Sequence, residues 1–258
     1  MKIIQTAERV SEKDLSDNYI FQRSLLAYKN AAKMVYGNVL ELGTGNGYGI
    51  EYISQNAEQF TTIDKFKAIS QNKFSKKTNV KYINMKIPPL KNIPSNSFDF
   101  VISLEVIEHI KNDQLFIDEV FRVLKNKGKF IVTTPNKKMS LTRNPWHIRE
   151  YTIHELEKLL LTRFNSINKL GIFGNEKILK YYLDNKKSVE KIMRFDVFNL
   201  QYKLPRKLLQ IPYDILNRIN RKKLLRKNTK LVKEISMSDY SIDKAKDDCF
   251  VLFYIAEK

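Results

Sequence analysis

A glycine-rich segment, ELGTGNGYG at residues 41–49, joins a short apolar run to a stretch with helical character. Glycine at Gly43, Gly45 and Gly47 lets the backbone turn tightly and lets a ligand approach without a Cβ in the way. Exposed N–H groups at the start of the following helix suit a carboxylate or a phosphate. A tight strand-to-helix turn without a ligand would satisfy the same pattern, so a second feature is needed to indicate a cofactor site.

Asp64 is that second feature, because it closes the second predicted strand, residues 60–63. A carboxylate at the end of the second strand can accept hydrogen bonds from both hydroxyls of a ribose. The side chain could instead cap a helix over residues 65–73. Together the glycine turn and Asp64 fit either a dinucleotide or S-adenosylmethionine (SAM).

Two carboxylates and two imidazoles could carry the chemistry of a transfer reaction. Glu105, Glu108 and His109 stand at i, i+3 and i+4, a spacing that predicts one shared face if the segment is helical. His147 follows in the loop NPWHIREY at residues 144–151, which could fold over the pocket. These ligands suit Mg²⁺ or Mn²⁺, which would lower the pKa of an acceptor hydroxyl. Alternatively, His147 is a metal-free general base near Glu108 and His109, or it only shapes the pocket rim.

Short β-type runs alternate with helical stretches along the chain, which predicts an α/β fold with a largely parallel sheet. The run FDFVISL at residues 98–104 is almost wholly apolar, as expected of a strand that is buried on both faces. Thr152 and Glu155 form a capping-box pattern at a helix start. The remaining predicted strands are residues 38–42, 60–63, 80–83, 129–134 and 249–255, and the other predicted helices span 19–36, 113–124 and a stretch from about 48.

The ordered set ELGTGNGYG, TTIDKF, SFDFVISLEVIEHI and RVLKNKGKFIVTTPN resembles class I SAM-dependent methyltransferases. The resemblance covers roughly residues 39–151. Within the family, the sequence looks most like the branch that contains ubiquinone-type O-methyltransferases and methyltransferases of bacterial polysaccharide clusters. It implies a Rossmann-like α/β fold, with a seven-stranded, mostly parallel sheet whose last strand, residues 249–255, is antiparallel. It also implies SAM as the methyl donor.

The same resemblance assigns cofactor contacts to individual residues. Glu41 would anchor the glycine turn, and Asp64 would hold the ribose. Lys86 stands where the family often has an acid that meets the adenine amino group, so Asn84 or a backbone carbonyl would have to make that contact. The other implied cofactor residues are Gly43, Gly45 and Gly47 around the methionine part, Met85 and Ile87 on the adenine ring, and Ser103 and Leu104 at the methyl-transfer site.

The E-x-x-E-H motif with a later histidine resembles the metal ligands of small-RNA 2′-O-methyltransferases and, in part, of ubiquinone-type enzymes. That resemblance would make Glu105, Glu108, His109 and His147 ligands of Mg²⁺ or Mn²⁺. Many relatives carry the Glu-His pair without an assigned metal, so a metal-free site is the alternative.

The formal net charge is +18, from 46 Lys+Arg against 28 Asp+Glu. Nucleic acid, an anionic membrane or a phosphorylated substrate could explain it, and so could compositional bias. The charge is concentrated in residues 203–233, where eleven basic residues accompany one acid, Asp214. An apolar stripe at helical spacing lies beside this cationic face and consists of Leu208, Ile211, Ile215 and Ile219. The segment could therefore be a solvated helix packed on the domain, a helix on anionic lipid, or a binder of a phosphorylated acceptor or RNA.

We predict three parts: a SAM-binding core with an N-terminal helix at residues 1–174, a basic cap of two or three helices at 175–238, and a final core strand within 239–258. The single cysteine, Cys249, excludes an internal disulfide framework and a CxxC zinc knuckle. No apolar run approaches the ~20 residues of a membrane span, and residues 1–10 lack the apolar core of a signal peptide. These features favour the cytoplasm, with attachment to the inner face of the membrane as an option.

The sequence therefore predicts a SAM-dependent methyltransferase that O-methylates a sugar, a lipid-linked saccharide or another small acceptor. The alternatives are an RNA methyltransferase and a non-catalytic protein that binds SAM or a membrane. Nucleic acid is the less favoured partner, because Tyr213 is the only aromatic residue between Pro205 and Lys233 and a base-stacking platform is not evident. The absence of an Asn/Asp-Pro-Pro-Tyr/Phe motif after the fourth strand argues against amino methylation of adenine in DNA.

Overall fold

The computed structural model describes residues 10–66 and 77–258. The described strands are β1 (Asn38–Leu42), β2 (Gln59–Asp64), β3 (Val80–Asn84), β4 (Phe98–Leu104), β5 (Leu124–Pro135), β6 (Ser166–Gly174), β7 (Tyr240–Lys244) and β8 (Val251–Glu257). They form one sheet in the order β3-β2-β1-β4-β5-β8-β6-β7. Strands β1 to β5 pair in parallel, and β8 lies antiparallel between β5 and β6. The predicted Rossmann-like α/β fold with an antiparallel last strand is confirmed.

The sheet has eight described strands, whereas the sequence predicted seven. The additional strand is β7, which pairs antiparallel with β6 at the edge of the sheet. In β7, Tyr240 is buried while Ser241 and Asp243 are exposed, the alternation of an edge strand with one face on the core. The final strand begins at Val251, so the buried Cys249 precedes it rather than lying within it.

The described helices are α1 (Asn18–Met34), α2 (Ile50–Ser54), α3 (Asp113–Val123), α4 (Ile153–Leu160), α5 (Glu176–Met193), α6 (Leu200–Lys203), α7 (Arg206–Lys227) and α8 (Thr229–Glu234). Thr152 and Glu155 form the predicted capping box at the start of α4. The segment 175–238 holds four helices, not two or three. Asn199, in the left-handed region, precedes the short α6, and Pro205 separates α6 from α7.

Two hydrophobic clusters cover the two faces of the sheet. One contains residues of α1 and α2 together with Ile178, Tyr181 and Leu224 from the segment 175–238. The other contains residues of α3 and α4, such as Phe116 and Leu156. The segment 175–238 therefore packs on the same face as α1, and we retain its division from the core as a proposal. Among the described helices, none combines the length and apolarity of a bilayer span.

Candidate active site

The glycine turn follows β1 in a conformation that side chains would resist. Gly43, Gly45 and Gly47 have φ values of 96°, 55° and 72°. A Cβ at Gly43 would lie 2.3 Å from the Val106 side chain, whereas a Cβ at Gly45 would meet no atom of residues 10–66 or 77–258 within 4 Å. Among these residues, the backbone at Gly45 therefore borders open space in which a ligand could lie.

Glu41 links the glycine turn to α1 and β2 through a buried hydrogen-bond network. Its buried carboxylate accepts hydrogen bonds from Tyr28 Oη at 2.9 Å and from Thr62 Oγ1 at 2.5 Å. The Thr62 hydroxyl also meets the hydroxyl of Thr44, inside the turn, at 2.6 Å. Burial raises the pKa of Glu41 to about 7. Sequence reasoning did not identify Tyr28 and Thr62, since they become neighbours of Glu41 only in the folded chain.

Asp64 ends β2 directly beside the turn. Its carboxylate accepts hydrogen bonds from the backbone N–H groups of Gly45 and Phe66, each at 2.9 Å. The end of β3 adjoins it, because Met85 N and Asn84 Nδ2 both donate to the Asp64 carbonyl. Most of the alternative helix over residues 65–73 lies outside the described residues. The carboxylate therefore points at the glycine turn, as a ribose ligand would require.

The ends of β3 and β4 hold the other residues that the resemblance implied. Met85 and Ile87 are half-buried and pack against one hydrophobic cluster. Ser103 is fully buried, and its Oγ has no hydrogen-bond partner among the described residues. An unsatisfied buried hydroxyl is costly, but this one has no accessible surface, so a ligand atom could meet it only after neighbouring side chains moved. Leu104 packs on the opposite cluster.

The predicted helix that would align Glu105, Glu108 and His109 is absent. Only Ile107–His109 form a short 3-10 turn, and Glu105 has a φ of 55°. The Glu105 carboxylate accepts a hydrogen bond from Arg23 Nη2 at 3.1 Å, and the two side chains form an ion pair. The prediction of a shared helical face is therefore wrong, although all three side chains line one cavity with His147.

Glu108, His109 and His147 form a compact cluster. Their possible ligand atoms all lie within 4.8 Å of one another. Glu108 is buried and accepts a hydrogen bond from Thr134 Oγ1 at 3.0 Å, and burial raises its pKa to about 8. His109 Nδ1 lies 3.0 Å from the Trp146 carbonyl and must donate to it, so Nε2 is the unprotonated nitrogen of a neutral ring. Three of the four predicted metal ligands thus meet, while Glu105 is engaged by Arg23.

His147 is paired with a carboxylate that sequence reasoning missed. Its Nδ1 lies 2.7 Å from Glu150 Oε1, and its Nε2 lies 3.0 Å from Asn144 Nδ2. Since a carboxylate only accepts, Nδ1 donates and Nε2 carries the lone pair of the neutral ring. Ser140 Oγ also donates to Glu150. The i, i+3 spacing of His147 and Glu150 was visible in the sequence, but its meaning depended on the loop conformation.

A cavity of about 270 Å³ lies beside this cluster. Its lining from the core includes Glu105, Glu108, His109, His147 and Glu150. The segment 175–238 supplies another set of lining residues, rich in tyrosine and asparagine: Tyr181, Tyr182, Asn185, Tyr213, Asn217, Asn220 and Arg221. These were missed because the segment was interpreted by its charge and its apolar stripe.

The same segment also holds the loop that carries His147. Trp146 Nε1 donates to Asp214 Oδ1 of α7 at 3.0 Å. Arg206 Nη1, at the start of α7, donates to the carbonyls of His147 and Ile148 at 3.3 and 2.8 Å. The segment 175–238 is therefore a cap that both lines the cavity and fixes the histidine loop.

Two arginines of the basic run face inward rather than toward solvent. Arg218 Nη1 and Arg221 Nη1 each lie 2.7 Å from Oδ1 of Asp17, which is fully buried before α1. Counting them with an outward cationic face was wrong, because the buried carboxylate attracts both guanidinium groups into the interior. This clamp joins the cap to the N-terminal part of the described chain.

Residues 40–132 match a family defined as a methyltransferase domain. A probable S-adenosylmethionine-dependent methyltransferase of Mycolicibacterium smegmatis is 33% identical over 177 residues, which cover 65% of this chain and 68% of the relative. The mitochondrial ubiquinone biosynthesis O-methyltransferase of Dictyostelium discoideum is 34% identical over 114 residues, covering 39% of this chain and 36% of that protein.

Solved methyltransferase structures share the fold. A SAM-dependent methyltransferase of Thermotoga maritima superposes with a TM-score of 0.55 at 12% identity, covering 93% of this chain and 91% of that chain. Phosphoethanolamine N-methyltransferase 2 of Haemonchus contortus, solved with SAM, gives a TM-score of 0.50 at 17% identity, covering 92% of this chain and 52% of that chain. At such identities the similarity shows the fold alone.

Proposed function

The chain belongs to the class I SAM-dependent methyltransferases, and from that premise we propose that it methylates a hydroxyl group of a sugar, a lipid-linked saccharide or a similar small acceptor. The observation that carries this proposal is the His147–Glu150 pair beside a cavity lined by tyrosine and asparagine side chains. We also propose that the enzyme works in the cytoplasm, next to the inner face of the membrane.

The cofactor would lie over the glycine turn. Gly45 borders open space, and Asp64 beside it could exchange a backbone N–H partner for the ribose hydroxyls. The remaining proposed cofactor residues are Glu41, Gly43, Gly47, Met85, Ile87, Ser103 and Leu104. Bound SAM supplies a methyl group that is already activated, so the protein has to align the acceptor and remove its proton.

His147 is the proposed general base. The bond from Nδ1 to Glu150 orients the imidazole and stabilises its protonated form, as in other histidine–carboxylate pairs. Nε2 now lies against the Asn144 amide, and an acceptor hydroxyl would take the place of that donor. Proton removal by a positioned base is worth about 10²–10⁴-fold in rate.

A metal-assisted reaction is the second possibility for the same cluster. Glu108, His109 and His147 would hold Mg²⁺ or Mn²⁺, which lowers the pKa of a nearby hydroxyl. The metal-free base is favoured because the carboxylate of Glu105 is paired with Arg23, which reduces the negative charge that attracts a hard cation.

The lining of the cavity supports a neutral, hydroxyl-rich acceptor. Asn217 Oδ1 is buried without a partner among the described residues and could accept a hydrogen bond from an acceptor hydroxyl. The two lining arginines are already paired, Arg23 with Glu105 and Arg221 with Asp17, which lowers the net positive charge that would attract a phosphate. At about 270 Å³ the cavity is near the lower end of the ~300–1,000 Å³ typical of small-molecule sites. These features favour a saccharide over RNA.

The acceptor class can be tested with SAM that carries a deuterated methyl group. The purified enzyme is incubated with lipid-linked saccharides extracted from membranes and, separately, with total RNA from the same cells. Mass spectrometry should find a deuteromethyl ether on a saccharide with the wild-type enzyme and none with the His147→Ala variant. Labelled RNA alone would establish the RNA methyltransferase alternative. Binding of SAM with no labelled product in either extract would favour a non-catalytic protein.

A further inference from the structure

The outer face of α7 is apolar and exposed. Leu208, Ile211, Ile215 and Ile219 are all exposed large hydrophobic residues, and Ile211 retains 71% of its accessible surface. The turn before α6 is exposed as well, with Phe195 at 88%. Scattered apolar residues are normal on a protein surface, but a contiguous stripe on one helix indicates an interaction site.

The apolar stripe does not serve the packing of α7 on the domain. The opposite side of the helix faces inward, since Tyr213 and Asn217 line the cavity and Leu224 is buried. The helix packs on the domain, as one of the alternatives expected, but through the face of Tyr213, Asn217 and Leu224 and not through the stripe. The helix uses its polar face for the cavity and presents its apolar face outward.

Basic side chains flank this stripe. Lys203 and Lys207 precede it, and Lys222, Lys223 and Arg226 follow it, all of them exposed. The two nearby acids are engaged in hydrogen bonds: Asp196 accepts from the N–H groups at the start of α6, and Asp214 accepts from Trp146 of the histidine loop. The outer face thus combines apolar residues with an excess of basic over acidic side chains.

We propose that this outer face docks on a lipid bilayer that contains anionic lipid. The docking face is defined by Leu208, Ile211, Ile215 and Ile219 on α7, with the flanking basic residues at its rim. An amphipathic helix with lysine and arginine beside an apolar face suits the headgroup region, where apolar side chains insert and cations meet anionic lipid. A second copy of this chain fits less well, since it would bring two basic rims together.

Docking would place the active site close to the membrane. The docking face and the cavity lie on opposite sides of α7, and a helix with side chains is about 10–12 Å across. An acceptor anchored in lipid would therefore need to extend only a short distance to reach His147. This placement extends the proposed function, but the docking itself does not depend on which acceptor is methylated.

Vesicle sedimentation with the full chain tests the proposal. We expect binding to phosphatidylcholine vesicles that contain phosphatidylglycerol at low salt, release at high salt, and little binding to pure phosphatidylcholine. The double variant Ile211→Ser/Ile215→Ser should lose at least tenfold in binding. The control Tyr36→Ser/Leu161→Ser replaces two exposed hydrophobic residues that lie outside the cap. Leu161 and Ile215 are equally exposed, at 54%. The control should bind like the wild type.

Charge is tested in the same way. Binding to anionic vesicles should be abolished by the triple variant Lys222→Glu/Lys223→Glu/Arg226→Glu. The control makes the same change in net charge at exposed positions of the methyltransferase core, Lys33→Glu/Lys81→Glu/Lys91→Glu, and should retain most of the binding. Arg218 and Arg221 are left intact, because their ion pairs with Asp17 support the fold. If the two triple variants lost vesicle binding equally, the proposal of a specific docking face would be overturned.

Two further outcomes would overturn the proposal. One is that wild-type protein fails to bind anionic vesicles at low salt. The other is that sedimentation velocity shows a dimer which Ile211→Ser/Ile215→Ser converts to a monomer, since the face would then pair two copies. Titration of S-adenosylhomocysteine is run on every variant, and unchanged affinity shows that the cofactor site is intact. Failure of docking is thereby distinguishable from failure of the proposed methyl transfer.

Discussion

His147 and Glu150 are the residues on which the proposed chemistry depends. We expect His147→Ala to lower kcat by about 10²–10⁴-fold, because the acceptor hydroxyl loses its base. Glu150→Gln should lower kcat less. The amide oxygen of glutamine can still accept the hydrogen bond from Nδ1, but a neutral amide no longer stabilises the imidazolium ion. Steady-state rates of methyl transfer measure both effects. The affinity for S-adenosylhomocysteine serves as the control and should not change.

Chelation separates the two versions of this chemistry. If the reaction is metal-free, wild-type activity should survive EDTA. Loss of activity with EDTA and recovery with Mg²⁺ or Mn²⁺ would instead show that Glu108, His109 and His147 hold a cation. Full activity of His147→Ala would contradict both versions.

Glu41 should make stability depend on pH. Burial raises its pKa to about 7 in the folded protein, above the 4.5 of an unfolded glutamate. The folded state therefore binds the proton more tightly, so its contribution to stability is greatest below pH 4.5 and is lost as the pH rises to about 7. Above that value the loss is complete and constant.

The variant Glu41→Gln tests this dependence. Glutamine can still accept from Tyr28 and can donate to Thr62, so the network around the turn is preserved without a titratable group. Thermal unfolding between pH 5 and pH 8 should show a smaller fall in melting temperature for the variant than for the wild type. Parallel curves would mean that Glu41 does not titrate in this range.

The loop of residues 144–151 and helix α7 work as a unit. Trp146→Phe removes the hydrogen bond to Asp214 but keeps an aromatic ring, at a cost of about 1.5–3 kcal/mol for a bond to a charged group. The loop would then hold His147 less firmly, so we expect lower kcat/KM for the acceptor and unchanged affinity for S-adenosylhomocysteine. Kinetics with varied acceptor, alongside calorimetry, separates the two effects. Unchanged kcat/KM would show that the cap does not position the loop.

The buried clamp between Asp17 and α7 should be a major source of stability. Asp17→Asn removes the buried carboxylate that Arg218 and Arg221 share and leaves Arg218 only the more distant Asp14, at 3.8 Å. The loss of one partner from a buried ion pair costs about 3–5 kcal/mol. Urea unfolding measures this loss. Asp243→Asn, at an exposed position of β7, is the control and should stay within about 0.5 kcal/mol. A similar small effect at Asp17 would refute the clamp.

Some elements follow directly from the sequence and others do not. The apolar run of β4 and the capping box of α4 could be predicted because each depends on residues close together in the chain. Strand β7 escaped prediction because a five-residue edge strand has a weak pattern and gains its order by pairing with β6. The expected helix at Glu105 is absent because that residue has a φ of 55° and its N–H donates to Thr133 of β5, while its side chain pairs with Arg23 of α1. Such contacts between distant residues are not visible in spacing.

The arrangement of the whole molecule explains how cofactor and acceptor could meet. The sheet order reverses between β1 and β4, and ligands of open α/β sheets bind at the carboxyl ends of strands at such a switch point. The glycine turn follows β1, and Glu105 and Glu108 follow β4, so the two half-sites flank this point. The cap lines the cavity on the side of the second half with its own side chains, which supports the proposal that it selects the acceptor.

The candidate site divides along the same line. The glycine turn and Asp64 could be predicted because they form a local, ordered motif set. Glu150 and the lining residues Tyr181 and Asn217 could not, because their roles arise only when the cap folds over the core. Sequence patterns therefore indicated the residues of the proposed cofactor half, whereas most residues of the proposed acceptor half emerged only from the structure.

The central claim is that the glycine turn and Asp64 bind SAM, and calorimetric titration of S-adenosylhomocysteine tests it most directly. We predict micromolar affinity for the wild type, no measurable binding of NAD, and at least about tenfold weaker binding by Asp64→Ala, because each lost hydrogen bond to the carboxylate is worth about 1.5–3 kcal/mol. Asp243→Ala should bind like the wild type. Binding of NAD with no binding of S-adenosylhomocysteine, or equal affinity of Asp64→Ala and the wild type, would contradict the account.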